Sequence, residues 1–465
     1  MSQTITELAS GYLDGSITPT DAVDQCLAGI EALDPKLGAW MDVYAPEARR
    51  GAAAATEAIG SGHRIGPFHG IPFALKDIVE VEGRVTTAGC AEWAEAERIS
   101  PTTATIGARL LAAGGILIGK TKTVEFAMGG WGTNQYLGTP HNPWDLSVAR
   151  TPGGSSSGSG VAVASGMVPC AIGTDTGGSV RLPAALCGIV GLKTTEGLLP
   201  TDGIVPLSHT LDTPGPMART VADTALMFDT LGGRNAASVD ADWRSGVGLY
   251  SQLHRGVDGL HLACLGSQER EWVDDEILAI YDSALAQLEE LGATVSPFDP
   301  PKPFEDMKEA TFVIVVAEGY HYHRALIDDP AARIDEHVRA RIAPGASITA
   351  ADYVAATLQR RTDQEAFLAA FAPFDAFVMP TTPMVAQPLY GLDEEATPAH
   401  FTRAGNYLRM CGTSLPSGLN GGRLPTSIQF ACRGGDEALS LRLAAAYESA
   451  RGPLPHPPAF VEGPN

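Results

Sequence analysis

The 465-residue chain carries a formal net charge of −22, with 44% hydrophobic and 18% charged residues. That balance fits a soluble globular enzyme and excludes a disordered chain, and its acidity argues against nucleic-acid or anionic-membrane partners, which need basic surface. The length allows one large domain or two to three of average size, and seven cysteines without a CxxC pair point to a reducing, cytoplasmic setting.

The opening MSQTITELASGYLDGS lacks the basic and apolar regions of a signal peptide. No run approaches the roughly 18 apolar residues of a membrane span. Residues 3–14 and 19–34 predict amphipathic helices, the second capped by Thr18 or Thr20 with Pro19 in its first turn. Leu27, Ile30 and Leu33 share one helical face and are assigned to the core. Residues 46–60 predict a third helix ended by Gly60. Pro72 to Val79 reads as a short buried strand carrying Lys76.

Residues 102–113 read as a helix and Gly115 to Ile118 as a strand. Across this join, Gly114 to Thr121 satisfies the phosphate-loop pattern GxxxxGK[ST]. Such a loop needs a strand before its first glycine and a helix after its lysine. Here a helix comes first and a strand lies inside, so nucleotide binding is rejected. Residues 131–150 are loop-like, 182–192 predict a helix or strand returning to the core, and 219–232 a helix. GGRNAASVDADWRSG (232–246) reads as a surface loop, HLACLG as a strand and 273–291 as a helix. The pattern from 303 to 371 is helical. Phe377 to Pro383 is a strand ending in a turn, Arg423 to Gln429 a late strand, 435–451 a helix, and GPLPHPPAF an extended tail. Strands alternating with helices predict an α/β sheet.

The chain is organised around Thr151 to Leu192. Two glycine-serine clusters, Gly153 to Ser159 and Gly177-Gly178-Ser179, flank the small apolar run VAVASGMVPCAIGTD. Glycine lets a backbone bring its N–H groups close to a ligand. Serine supplies a hydroxyl that is inert until a base takes its proton. A flexible linker would not enclose so apolar a run, so the clusters read as two edges of one active site.

TPGGSSSGSG, then GTDTGGSVRLPAALCGIVGLK, resembles the signature of the amidase signature family of serine hydrolases. The family's two catalytic serines lie 24 residues apart, as do Ser155 and Ser179. Its catalytic lysine sits in G-[IV]-P-x-x-x-K-D, matched by Gly70 to Asp77 with Lys76. Glu125-Phe126 after the Gly114 to Thr121 segment also matches. The likeness runs from about residue 65 to 230, reappears weakly near the C-terminus, is least over 303–371, and implies one domain over 1–465. The implied fold is a single large mixed sheet surrounded by helices, with 303–410 as a variable helical part of the substrate pocket.

The resemblance implies Ser179 as nucleophile, Ser155 as relay and Lys76 as base. Lys76 must be neutral to act, and burial among Phe73, Ala74, Leu75 and Ile78 would lower its pKa. The backbone N–H groups of Thr176, Gly177, Gly178 and Ser179 are the expected oxyanion hole. Asp175 and Arg181 are expected as an ion pair bracing the turn, with Thr174 adding its hydroxyl to that network. The Gly154–Ser155 peptide is expected to be cis. Met128, Gly129, Gly130, Trp131 and Tyr136 are candidate pocket residues. One departure is Ser157, where the family usually has glycine; a positive φ there would strain serine.

No metal or cofactor is expected. His321-Tyr322-His323 lacks a matching ligand cluster, His141 and His209 read as loop or core residues, and Ser156 and Ser159 as hydrogen-bonded loop residues. The leading reading is hydrolysis of a small amide, anilide, hydrazide or carbamate through an acyl-Ser179 intermediate. The alternative is the amidase subunit of a glutamine-dependent tRNA amidotransferase.

Overall fold

A computed structural model describes residues 3–460. Eleven strands form one sheet: β1 Trp40–Val43, β2 Pro72–Lys76, β3 Ile116–Thr121, β4 Cys170–Asp175, β5 Val190–Lys193, β6 Thr213–Ala218, β7 His261–Leu265, β8 Thr294–Phe298, β9 Ala376–Pro380, β10 Cys411–Leu419 and β11 Pro425–Cys432. Their spatial order is β1-β3-β2-β4-β6-β5-β10-β11-β9-β7-β8. Parallel pairs join β2 to β3 and β4, and β7 to β8 and β9. The remaining pairs are antiparallel. The mixed sheet wrapped by helices is the predicted fold class.

Helices cover the sheet, which explains the continuous apolar strands: every residue of β2, β4 and β9 is buried. The two N-terminal helices run over Ile5–Asp14 and Pro19–Leu37, and Thr18 is the cap of the second. That helix passes Pro35 and ends at left-handed Gly38. The strand at Lys120 is longer than the sequence suggests, and no phosphate loop exists. Lys120 instead forms a buried ion pair with Asp77 at 3.1 Å.

Several segments depart from the sequence reading. The surface loop predicted at 232–246 contains a helix, Ala236–Ser245, capped by the Asn235 side chain. Ser157–Ala164 is also helical, although glycine and serine are poor helix formers. Every residue of that helix is buried against the sheet, so packing overrides propensity. β6 (TPGPMA) hides in a sequence with two prolines, and the sequence pattern does not mark β1, β8 or β10. The span 182–192 is both a helix, Arg181–Cys187, and a strand, β5. No helix among the described residues is long and apolar enough to cross a membrane.

Candidate active site

The site forms at the carboxyl ends of the parallel strands β2 and β4, where an α/β sheet leaves a crevice. Lys76 is the last residue of β2. The register pairs Leu75 with Ile172, which sets Lys76 beside the end of β4. Its amine donates to Ser155 Oγ at 2.7 Å and to Thr174 Oγ1 at 2.8 Å. Thr174 is therefore an acceptor for the amine rather than a member of the Asp175–Arg181 network.

Lys76 and Ser155 are both 0% exposed. Burial lowers the Lys76 pKa to about 7, against the opposing charges of Asp212 and Asp175. Asp212 accepts from the N–H groups of Leu207 and Ser208 at 2.9 and 3.0 Å, so the loop after β5 carries a carboxyl toward the lysine.

The Gly154–Ser155 peptide is cis, as the resemblance implies. The Ser155 carbonyl accepts from Val124 N–H at 3.2 Å and Thr123 Oγ1 at 3.0 Å. Ser156 N–H reaches the Ser179 carbonyl at 3.3 Å, which ties the two glycine-serine turns together. Ser156 Oγ also accepts from Thr174 N–H at 3.2 Å. Ser159 lies within the helix and bonds Thr121 Oγ1 at 2.7 Å. Ser157 opens that helix and is not among the residues of positive φ, so serine causes no backbone strain there. Its hydroxyl is, however, buried without a partner. Gly158 is needed beside it: a Cβ would lie 2.2 Å from the Ala39 carbonyl oxygen.

Ser179 stands on the turn between β4 and the helix Arg181–Cys187 and is 8% exposed. Its hydroxyl takes no protein partner among the described residues, Ser155 included, and it borders a cavity of about 280 Å³. The expected set of four oxyanion donors loses one. Gly178 N–H donates to Asp175 Oδ1 at 2.7 Å and is turned away from the cavity's chemistry. Thr176, Gly177 and Ser179 remain, all on the cavity wall. Gly178 has φ +133°, and a Cβ on it would strike Thr402 Oγ1.

Asp175 and Arg181 form the anticipated ion pair, in bidentate form. Arg181 Nε reaches Asp175 Oδ2 and Nη2 reaches Oδ1, each at 3.0 Å. Burial opposes the Asp175 charge, but the Arg181 guanidinium overcomes it and holds the pKa down to about 2. Arg181 continues to the Thr402 carbonyl at 2.7 Å, Asn406 Oδ1 at 2.8 Å and Gln429 Oε1 at 3.0 Å. Thr402 Oγ1 in turn donates to the Gly177 carbonyl at 2.8 Å. The helix His400–Tyr407 is thereby clamped onto the Ser179 turn. These partners lie more than 220 residues from the turn in sequence, and no local spacing marks them.

Met128, Gly129, Gly130 and Trp131 line the cavity as expected, but Tyr136 does not. Tyr136 is 44% exposed, on a turn held by the Asn134 side chain. The opposite wall comes from the region least readable in sequence. Lys308, Thr311, Phe312 and Val315 project from the helix Phe304–Ile327, and Arg341, Glu394 and Arg403 complete it. The histidines do not assemble a site. His323 stacks on Phe126 and bonds the Pro206 carbonyl, and burial lowers its pKa to about 4. No group of three or more potential metal ligands occurs among the described residues.

The family model for Amidase matches residues 21–441. The chain is 34% identical to a glutamyl-tRNA(Gln) amidotransferase subunit of Anaeromyxobacter dehalogenans, with 97% of each protein covered. It is 31% identical to an acylamidase of Rhodococcus erythropolis, across 96% of this chain and 95% of that protein. The native peptide amidase of Stenotrophomonas maltophilia superposes with a TM-score of 0.84 at 28% identity, covering 98% of both chains. With the Lys76–Ser155 contact, the cis peptide and the eleven-stranded sheet already in place, these matches lead to one conclusion: the chain belongs to the amidase family.

Proposed function

We propose that this protein hydrolyses a carboxamide or related acyl–nitrogen bond through an acyl-enzyme on Ser179. The observation that carries the reading is the buried amine of Lys76, with a pKa of about 7, donating at 2.7 Å to the Ser155 hydroxyl. A neutral amine so held is a base poised near physiological pH. Ser179 Oγ attacks the acyl carbon and passes its proton to Ser155, which passes its own to Lys76. The N–H groups of Thr176, Gly177 and Ser179 stabilise the oxyanion, each worth roughly 3–4 kcal/mol of barrier. Collapse breaks the carbon–nitrogen bond, and the proton returns from Lys76 through Ser155 to the leaving nitrogen. Water, activated by the same pair, then releases the acid and restores Ser179.

Attack requires Ser179 Oγ to come within hydrogen-bonding distance of Ser155 Oγ. Catalytic contacts of this kind often tighten only when substrate binds. The test is a fluorophosphonate on the purified chain, followed by peptide mass spectrometry. Mass added at Ser179, with loss of anilide hydrolysis, supports the assignment. Modification at Ser155 alone would reverse the serine roles, and undiminished turnover by Ser179→Ala would end the proposal.

A second reading is favoured by the 34% identity, over nearly the full chain, to a component of a glutamyl-tRNA(Gln) amidotransferase. In that role the acyl-enzyme would form from glutamine, and the ammonia would pass to a partner. Hydrolysis of a simple anilide by the isolated chain, with no enhancement by glutamine-dependent partner proteins, separates the two.

A further inference from the structure

The cavity wall carries five ionisable side chains, and four are accounted for. Lys308 pairs with Glu305 one helical turn away, and Arg341 Nη2 pairs with Glu394 at 3.0 Å. Glu395 is exposed at the mouth. The fifth, Arg403, makes no ion pair or hydrogen bond through its guanidinium with any described residue. None of its nitrogens is sealed inside the protein, so the charge faces the cavity. Burial, then repulsion from Arg341, lowers its pKa to about 10 against the opposing charge of Glu305, which leaves it a cation at neutral pH.

The helix segment that carries Arg403 is anchored to the Ser179 turn. Arg403 lies between Thr402, which donates to the Gly177 carbonyl at 2.8 Å, and Asn406, which receives Arg181. Its Cγ sits 3.2 Å from the point a Cβ on Gly177 would occupy. Glu305, the one carboxylate among the described residues that acts on Arg403, lies beyond ion-pair distance and is already engaged by Lys308. A half-buried cation with no carboxylate in contact is costly unless a ligand supplies the missing charge. A guanidinium is suited to a carboxylate, which it can grip with two parallel hydrogen bonds.

We infer that Arg403 is a specificity-determining residue that pairs with a carboxylate on the substrate, so that the preferred substrates are amides bearing a second, acidic group close to the scissile bond. The inference rests on the hydrolase reading above and names the substrate class for that same cavity. The carboxylate can enter on the acyl part or on the leaving amine, and both are tested.

Two sets of anilides make the experiment. One compares the mono-anilides of succinic and glutaric acids with butyranilide and valeranilide. The other compares 3- and 4-acetamidobenzoate with acetanilide. The wild-type chain is expected to favour the acid in at least one set by about 10- to 100-fold in kcat/KM. Arg403→Gln should reduce that preference to near unity, and Arg403→Lys should retain part of it. Fluorophosphonate labelling of Ser179 in each variant reports that the site is still assembled. Preference for the neutral anilide in both sets, or an acid preference unchanged in Arg403→Gln, would overturn the inference. Should Arg403→Gln fail to fold, Arg403→Lys and the wild-type preference decide. A chain that neither labels nor hydrolyses any anilide defeats the hydrolase reading instead.

Discussion

The burial of Lys76 can be read directly in a pH profile. A lysine in water has a pKa near ~10.4, so at pH 7 roughly one in 2,500 is neutral. With its pKa lowered to about 7 by burial, about half of Lys76 is neutral at that pH. For an uncharged anilide, kcat/KM should therefore rise with pH and level off. About a tenth of the plateau is expected at pH 6 and about nine-tenths at pH 8. Asp212 and Asp175 hold the amine's pKa up from below, so Asp212→Asn should move this limb to lower pH. The same shift has a stability consequence. The unfolded chain binds the Lys76 proton up to its ordinary pKa, whereas the folded chain releases it near pH 7. Folding thus loses stability as pH falls from about 10.5 to about 7, and the cost is complete below that. Lys76→Met should abolish turnover yet stabilise the protein at pH 7 by about 1–3 kcal/mol, after the lost bonds to Ser155 and Thr174 are discounted. The gain should shrink toward pH 10. Stopped-flow hydrolysis from pH 5 to 10 and urea denaturation at three pH values measure both effects. A rate limb near pH 10, or a variant equally destabilised at every pH, would refute the argument.

Three substitutions probe the neighbouring contacts. Asp175→Asn leaves the buried Arg181 guanidinium without its counter-ion and turns an amide NH2 onto donors of the Ser179 turn or of Arg181, so it should cost about 3–5 kcal/mol by chemical denaturation and greatly reduce turnover. Full stability would show that Arg181 is satisfied by Gln429, Asn406 and Thr402 alone. Ser157→Ala removes a buried hydroxyl that has no partner and should be neutral or stabilising by up to about 1 kcal/mol. Gly158→Ala, one residue on, forces a methyl onto the backbone at Ala39 and Lys122 and should prevent normal folding. Thermal melts of the two variants compare them, and similar melting temperatures would contradict the packing.

Lys76, Ser155 and Ser179 are legible because each sits in a short, dense motif. Glycines, serines and small apolar residues in sequence order already describe a tight turn on a buried strand. The Asp175–Arg181 pair is legible because its members stand six positions apart inside the same matched motif. The sequence raises a question of φ at Ser157, and only the fold answers it, with a helix starting there. The same helix shows why propensity misleads: glycine and serine disfavour helix in isolation, and burial of the whole segment reverses that preference.

Residues close along the chain declared their chemistry by themselves, because hydroxyl, amine and glycine turn are properties of a few neighbouring side chains. They carried the motifs that the amidase signature resemblance matches at Lys76, Ser155 and Ser179, the buried strand beneath Lys76 and the α/β class. Tertiary structure alone decided which N–H groups stay free, that Tyr136 lies off the cavity, and that Arg403 enters it from a helix clamped to Arg181. Those outcomes depend on where segments hundreds of residues apart come to rest, and there burial and competition for hydrogen bonds, rather than residue type, settle which charge is left without a partner.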